Sequence, residues 1–326
     1  MKFQKICIIG DGLAGLASTA IFAKKNIQVD IFSANYKKNI FDHRTTAISD
    51  SNFNYIKKAL GVKNLNYFWP SKKIDLFHEH KNKFISFLKF ENYTKVLMHI
   101  FQNYKFKKTL MQIIKKNKKV KIINQKINKI NHENCSVDIK KKKIFYDLII
   151  LCTGNNSNLY QKIDKMRSIK KNYKEIAITA LVKNNLKIKN SNKYFLKDGP
   201  FAILPVKKNL FSIVWSVNEK FFKKNESNLK TIIKNKIYEL LNKQKISINN
   251  IKSFPIHLNL KTKYYKKNTL ILGEGLHSVH PLAGQGFNLV IRDIKKMDEL
   301  LTRKIKLGLP IKESNILEEF YQARSP

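Results

Sequence analysis

Two glycine-rich stretches carry the residue types and spacings that could do chemistry. The first is Gly10-Asp11-Gly12-Leu13-Ala14-Gly15. A glycine at Gly10 permits a tight turn, one at Gly12 lets the backbone approach a diphosphate, and one at Gly15 lets helix and strand pack closely. The diphosphate would then rest on the free N–H groups of a helix N-terminus, with Leu13 and Ala14 in the same turn. This pattern does not distinguish a flavin from a nicotinamide dinucleotide. An acidic residue about 20 positions on would bind ribose hydroxyls. Here the second strand ends at Ser33, while Asp30 lies inside it.

The second stretch runs from Gly273-Glu274-Gly275 through His277, His280, Pro281 and Gly284-Gln285-Gly286-Phe287-Asn288. Backbone N–H groups in such a loop, with a helix N-terminus behind them, stabilise negative charge. The N1–C2=O edge of a reduced flavin carries such charge. His277 and His280 lack a clear third ligand nearby, which makes a poor zinc site, and no metal is expected. A structural or substrate-facing role fits them better. The three cysteines, Cys7, Cys135 and Cys152, are odd in number and far apart, which excludes a disulfide scaffold.

The elements that must position these residues follow from pattern. Residues 2–9 read as a buried strand, 13–25 as a helix and 27–32 as a second strand, a βαβ unit. Helical patterning covers 53–60, 92–116, 227–243 and 285–306. Short strands are expected within 119–130 and 135–146, with the Lys140–Lys143 run as a turn, and a buried parallel strand at 147–151. Residues 174–183 and 210–217 read as strands of an antiparallel sheet, and 269–272 as another buried strand. Residues 6–23 are apolar enough to invite a spanning segment, but Asp11 lies inside them. No transmembrane helix is expected.

Of 326 residues, 64 are Lys or Arg and 23 are Asp or Glu, a net charge of +41. Only 5 of the basic residues are Arg, and the lysines are spread along the chain. Nucleic-acid recognition leans on Arg, so no nucleic-acid partner is expected. A basic face could still attract anionic lipid, at about 1 kcal/mol per Lys.

Taken together, these segments resemble the FAD-dependent aromatic hydroxylases of ubiquinone biosynthesis, within the para-hydroxybenzoate-hydroxylase-like flavoprotein monooxygenases. Four more segments are similar to family motifs: Asp42-His43-Arg44-Thr45-Thr46-Ala47-Ile48-Ser49, Glu91-Asn92 opening a helix, Gly199-Pro200-Phe201-Ala202-Ile203-Leu204-Pro205, and Ser212-Ile213-Val214-Trp215-Ser216. The resemblance spans about residues 6 to 325. It departs from the family at Glu274, where the family has Asp, and at Cys152-Thr153-Gly154, where an Asp gives way to Thr153.

The resemblance implies an α/β fold: a Rossmann-like FAD-binding domain (1–70, 90–168 and 267–326) interleaved with a smaller antiparallel-sheet substrate domain (71–89 and 169–266). It also implies a further C-terminal segment after Pro326. Gly10, Gly12 and Gly15 would hold the diphosphate of FAD, with Leu13, Ala14 and Ser33 beside it. Arg44 would contact the flavin side and Glu274 the ribityl chain. Pro281, Gly284, Gln285, Gly286, Phe287 and Asn288 would line the flavin ring. The implied reaction uses NAD(P)H and O2 through a flavin C4a-hydroperoxide to hydroxylate a polyprenylated phenol. Pro281, His280 and His277 are the candidate catalytic residues, either histidine being a candidate base for the phenol. The alternatives are another flavin oxidoreductase of this fold, such as an isoprenoid reductase, or a non-catalytic flavin-binding subunit of a quinone-biosynthesis complex. Expected partners are the prenylated phenol, a membrane surface and other quinone-biosynthesis proteins. The expected location is cytoplasmic, peripheral at the inner membrane face.

Overall fold

The computed structural model describes residues 4–34, 42–81, 83–139, 142–154, 157–160, 163, 168–185, 188–242, 245–280 and 285–325. Among them, the βαβ unit forms as its pattern dictates. The Gln4–Ile9 strand pairs in parallel with Ile27–Phe32 and with Leu148–Leu151. Val120–Ile123 and Thr269–Ile271 extend the ladder on either side, and Tyr265–Lys266 closes it as an antiparallel edge, giving six strands. Both faces of this sheet are covered, so its central strands are rich in Ile, Leu and Val, and Leu148–Leu151 is continuously aliphatic. Ile8, Ile27, Leu148 and Ile150 are fully buried, each stabilising the fold by about 1.5–3 kcal/mol relative to exposure.

The second sheet has eight strands, in the order His277–Ser278, Ile246–Lys261, Ser168–Asn184, Leu210–Asn218, Gly199–Lys207, Ser191–Leu196, Lys73–His80 and Lys83–Glu91. It is antiparallel except where Ser191–Leu196 runs parallel to Lys73–His80. Period-two alternation gives it two distinct faces. Ile178, Ile203, Ile213 and Trp215 pack on one side against Ile233 and Ile237 of the Leu229–Leu241 helix. Small and aliphatic residues occupy the other. The mixed α/β architecture expected from the sequence is the one observed.

Two expectations need correcting. Residues 92–116 are not one helix: Met98–Gln102 is a strand, paired with Thr45–Ser49 and Trp69–Ser71, and the helix is Asn103–Lys116. Burial of His99, Ile100, Phe101 and Gln102 between these partners overrides the helical spacing. Glu91 therefore ends a strand rather than opening a helix; the pair that opens one is Gln102–Asn103. In the lysine run, Lys142 and Lys143 belong to the strand Lys142–Phe145, and residues 140–141 lie outside the described residues. No helix among the described residues is long and apolar enough to cross a membrane.

Candidate cofactor and substrate site

The glycine turn is built by backbone crowding. Gly10 has φ +116°, and a Cβ there would sit 2.2 Å from the Cys152 carbonyl oxygen. A Cβ on Gly15 would sit 1.9 Å from the Gly10 carbonyl oxygen. Gly12 differs: a Cβ there meets nothing within 4 Å. It is the N-cap of the Leu13–Phe22 helix and has no side-chain cap. Gly10 and Gly15 thus shape the turn, while Gly12 faces open space at an uncapped N-terminus, the environment that suits a diphosphate. Gly273, with φ +92°, closes the approach from the other side; a Cβ there would lie 2.9 Å from the Ala14 Cβ.

Ser33 is buried, and its hydroxyl donates to Asp11 Oδ2 at 2.7 Å. Asp30 is turned away, bound to Lys5 Nζ at 2.8 Å and to the Tyr146 hydroxyl at 2.9 Å. The carboxylate at the end of the second strand is therefore Asp11, supplied from within the glycine motif. Thr153 donates to the Tyr160 hydroxyl, which donates in turn to the Gly154 carbonyl.

These elements border a cavity of about 650 Å³. Of the residues the sequence singles out, Gly12, Leu13, Ala14, Arg44, Glu274, Gly286 and Phe287 line it. Gln285 and Asn288 do not. Asn288 instead accepts from Ser49 N at 2.9 Å and donates to the Ala47 carbonyl at 3.1 Å, fastening the Gln285–Lys306 helix to the Thr45–Ser49 strand. Pro281 and Gly284 lie outside the described residues.

Arg44 is held by Asp42 and by the face of Phe254, 5.2 Å from the ring centroid. Burial alone would raise the Asp42 carboxyl; hydrogen bonds and charge from Arg44, with a bond from Asn103, win and bring it down to about 2. Asn103 also accepts from the Thr46 hydroxyl at 2.7 Å. The sequence did not mark Asn103, because the Gln102–Asn103 pair falls inside the helix expected over 92–116 rather than at its start.

Neither candidate histidine lines the cavity. His277 is buried, with Nε2 3.3 Å from Asp293 Oδ2, and Arg324 Nε bonds the other oxygen of Asp293 at 2.7 Å. His280 Nε2 lies 2.8 Å from Glu175 Oε2, and its ring packs edge-on against Tyr173. The lining histidine is His257, on the Ile246–Lys261 strand.

The far wall comes from the eight-stranded sheet. One register row crosses five strands, Thr179–Val214–Ala202–Lys193–Leu76, and all five residues line the cavity. Ile74, Phe90, Met98 and Leu204 complete an apolar surface around Lys193. Burial lowers the Lys193 ammonium below the usual lysine range. No sequence signal marked Lys193 among so many lysines. Among the described residues, no group of three or more His, Cys, Asp or Glu could hold a metal.

A family profile described as FAD binding domain matches residues 4–306. The ubiquinone biosynthesis monooxygenase COQ6 of Dictyostelium discoideum is 24% identical over 294 residues, covering 72% of this chain and 59% of that protein. The ubiquinone hydroxylase UbiL of Rhodospirillum rubrum is 27% identical over 138 residues, covering 41% of this chain and 32% of that protein. The chain thus spans less than two thirds of either relative. Among solved structures, Pseudomonas aeruginosa PqsL in complex with 2-aminobenzoylacetate superposes with TM-score 0.83 at 12% identity, covering 100% of this chain and 92% of that one. Pseudomonas putida p-nitrophenol 4-monooxygenase PnpA gives TM-score 0.79 at 14% identity, covering 99% and 84%. At these identities the likeness is one of fold.

Proposed function

The chain belongs to the FAD binding domain family, and from that premise we propose that it is an FAD-dependent monooxygenase hydroxylating a polyprenylated phenol ring in ubiquinone biosynthesis, with NAD(P)H as reductant. The observation that carries the reading is a single cavity with a polar end at the glycine turn and, opposite, a sheet wall of Ile74, Leu76, Ala202, Leu204 and Val214 that also presents Lys193, Thr179 and His257. In this reading residues 71–89 and 169–266 form the substrate part, joined by Phe90, and the rest of the chain holds FAD.

Bound FAD would supply the O2 activation that inserts one oxygen atom into the ring. The chain's own residues bind, orient and exclude water. The Gly12 backbone with Leu13 and Ala14 would receive the diphosphate, and Glu274 the ribityl hydroxyls. Arg44, pre-oriented by Asp42, would stand on the flavin side, with Gly286 and Phe287 against the ring. A phenol entering the apolar wall meets Lys193. An ammonium there would favour binding of the substrate as phenolate, its proton having passed to solvent, and a phenolate ring is the better nucleophile. Ile74, Leu76, Met98, Ala202 and Leu204 exclude water around it.

The test begins with the chain incubated with FAD and passed through gel filtration. Retained flavin absorbance is expected, followed by NAD(P)H oxidation and O2 consumption coupled to a hydroxylated prenyl phenol. Double-bond reduction without O2 consumption would replace the reading with an isoprenoid reductase. Retained FAD without turnover of any phenol would leave a non-catalytic flavin subunit.

A further inference from the structure

Among the described residues, the eight-stranded sheet ends at the Lys83–Glu91 strand, which pairs only with Lys73–His80. Edge strands are ordinarily polar or covered. This one carries Ile85, Phe87, Leu88 and Phe90, between 44% and 52% exposed. A register shift opposite Leu76 and Phe77 leaves Phe87 out of the ladder. Such a bulge lets neighbouring residues share a face. Phe87 accordingly meets the rings of His78 and Phe195, at 6.1 and 5.8 Å, beside Leu88. Ile85 and Phe195 both pair with His78, which adds them to the same side.

The patch is continuous with the site. Phe90 is half exposed and also lines the cavity. Lys193 lines the cavity while its Nζ lies 4.8 Å from the Phe195 ring centroid. Exposed lysines stand at both ends of the strand: Lys81 and Lys83 at the hairpin tip, Lys72 and Lys95 at the other end. Of the nearby acids, Glu91 is paired with Lys89, Asp75 with Lys73, and Glu79 accepts from the Lys197 backbone.

We propose that this edge is a membrane-docking surface: Ile85, Phe87, Leu88, Phe90 and Phe195 enter the acyl boundary of an anionic bilayer while the flanking lysines meet its phosphate headgroups. Apolar side chains rimmed by lysine are the chemistry that binds such an interface. A chain of net charge +41 repels a second copy of itself but is drawn to anionic lipid. The bulge at Phe87 also interrupts the flat ladder that edge-to-edge pairing needs. The cavity mouth at Phe90 would then open on the lipid, so that a prenyl tail need not cross water. That last consequence rests on the function proposed above; the docking does not.

The experiment is flotation with vesicles of phosphatidylcholine and phosphatidylglycerol at about 0.15 M salt. It compares the unaltered chain with an Ile85→Ser, Phe87→Ser variant, whose two positions do not line the cavity. Binding is expected to fall by about tenfold in the variant while FAD retention stays the same. An environment-sensitive fluorophore on Phe87→Cys should shift to the blue when these vesicles are added; Cys7, Cys135 and Cys152 are buried and should not take the label. Variant binding equal to that of the unaltered chain, with no spectral shift, would overturn the proposal and leave generic charge attraction. A dimer in gel filtration that the same substitutions dissolve would overturn it in favour of a second copy. Vesicle binding without hydroxylation would leave the docking surface standing and remove the reaction.

Discussion

Arg44 grips Asp42 through two parallel bonds, Nε to Oδ1 at 2.9 Å and Nη2 to Oδ2 at 2.8 Å. Asn103 adds a third bond to the same carboxylate, at 3.0 Å. A guanidinium fixed this way reaches the cavity in one orientation, which would suit the flavin-side role proposed for it.

The pair has a pH signature. Asp42 sits at about 2 in the fold against 3.8 for an unperturbed carboxyl. Its contribution to stability is therefore fully present above the unfolded value and is lost as pH falls through the folded one. Asp42→Asn should be less stable than the unaltered chain near about pH 6, and the two should converge towards about pH 2. Circular dichroism along an acid titration would show it; parallel curves would mean that Asp42 is not depressed.

The three motif glycines should separate by mechanism. Gly15→Ala puts a Cβ onto the Gly10 carbonyl, so it should cost about 2 kcal/mol or more in stability. Gly12→Ala meets open space, so its melting temperature should be unchanged while FAD affinity falls. Thermal unfolding and flavin titration on both variants decide this. Equal destabilisation would mean that Gly12 serves the fold rather than a ligand.

Lys193→Met keeps the length of the side chain and removes its charge from the apolar wall. Loss of one charge-assisted bond to a phenol oxygen is worth about 1.5–3 kcal/mol, roughly tenfold or more in KM. Flavin affinity should not change. Steady-state kinetics against prenyl phenol concentration would test this, and an unaltered KM and kcat would place the phenol elsewhere.

Asp293 is fully buried and bonded to Arg324, so Arg324→Ala strands a charge. It should cost about 3–5 kcal/mol by urea unfolding. His277→Ala, on the same cluster, should weaken stability and leave turnover per folded molecule intact. A collapse of turnover with stability preserved would return His277 to the reaction.

Local chemistry wrote much of this protein into its sequence. The βαβ unit, the Gln285–Lys306 helix and the Gly10–Gly15 turn depend on contiguous residues, glycine geometry and hydrophobic period, and these are legible in one dimension. The open, uncapped helix N-terminus at Gly12 follows from the same turn. The apolar wall was not legible. Leu76, Thr179, Lys193, Ala202 and Val214 meet only through long-range strand register, and one residue of slip would turn each to the opposite face. Tertiary partners likewise made a strand of Met98–Gln102 and turned His277 towards Asp293. Both outcomes depend on burial against distant segments, an energy that no local window of sequence contains.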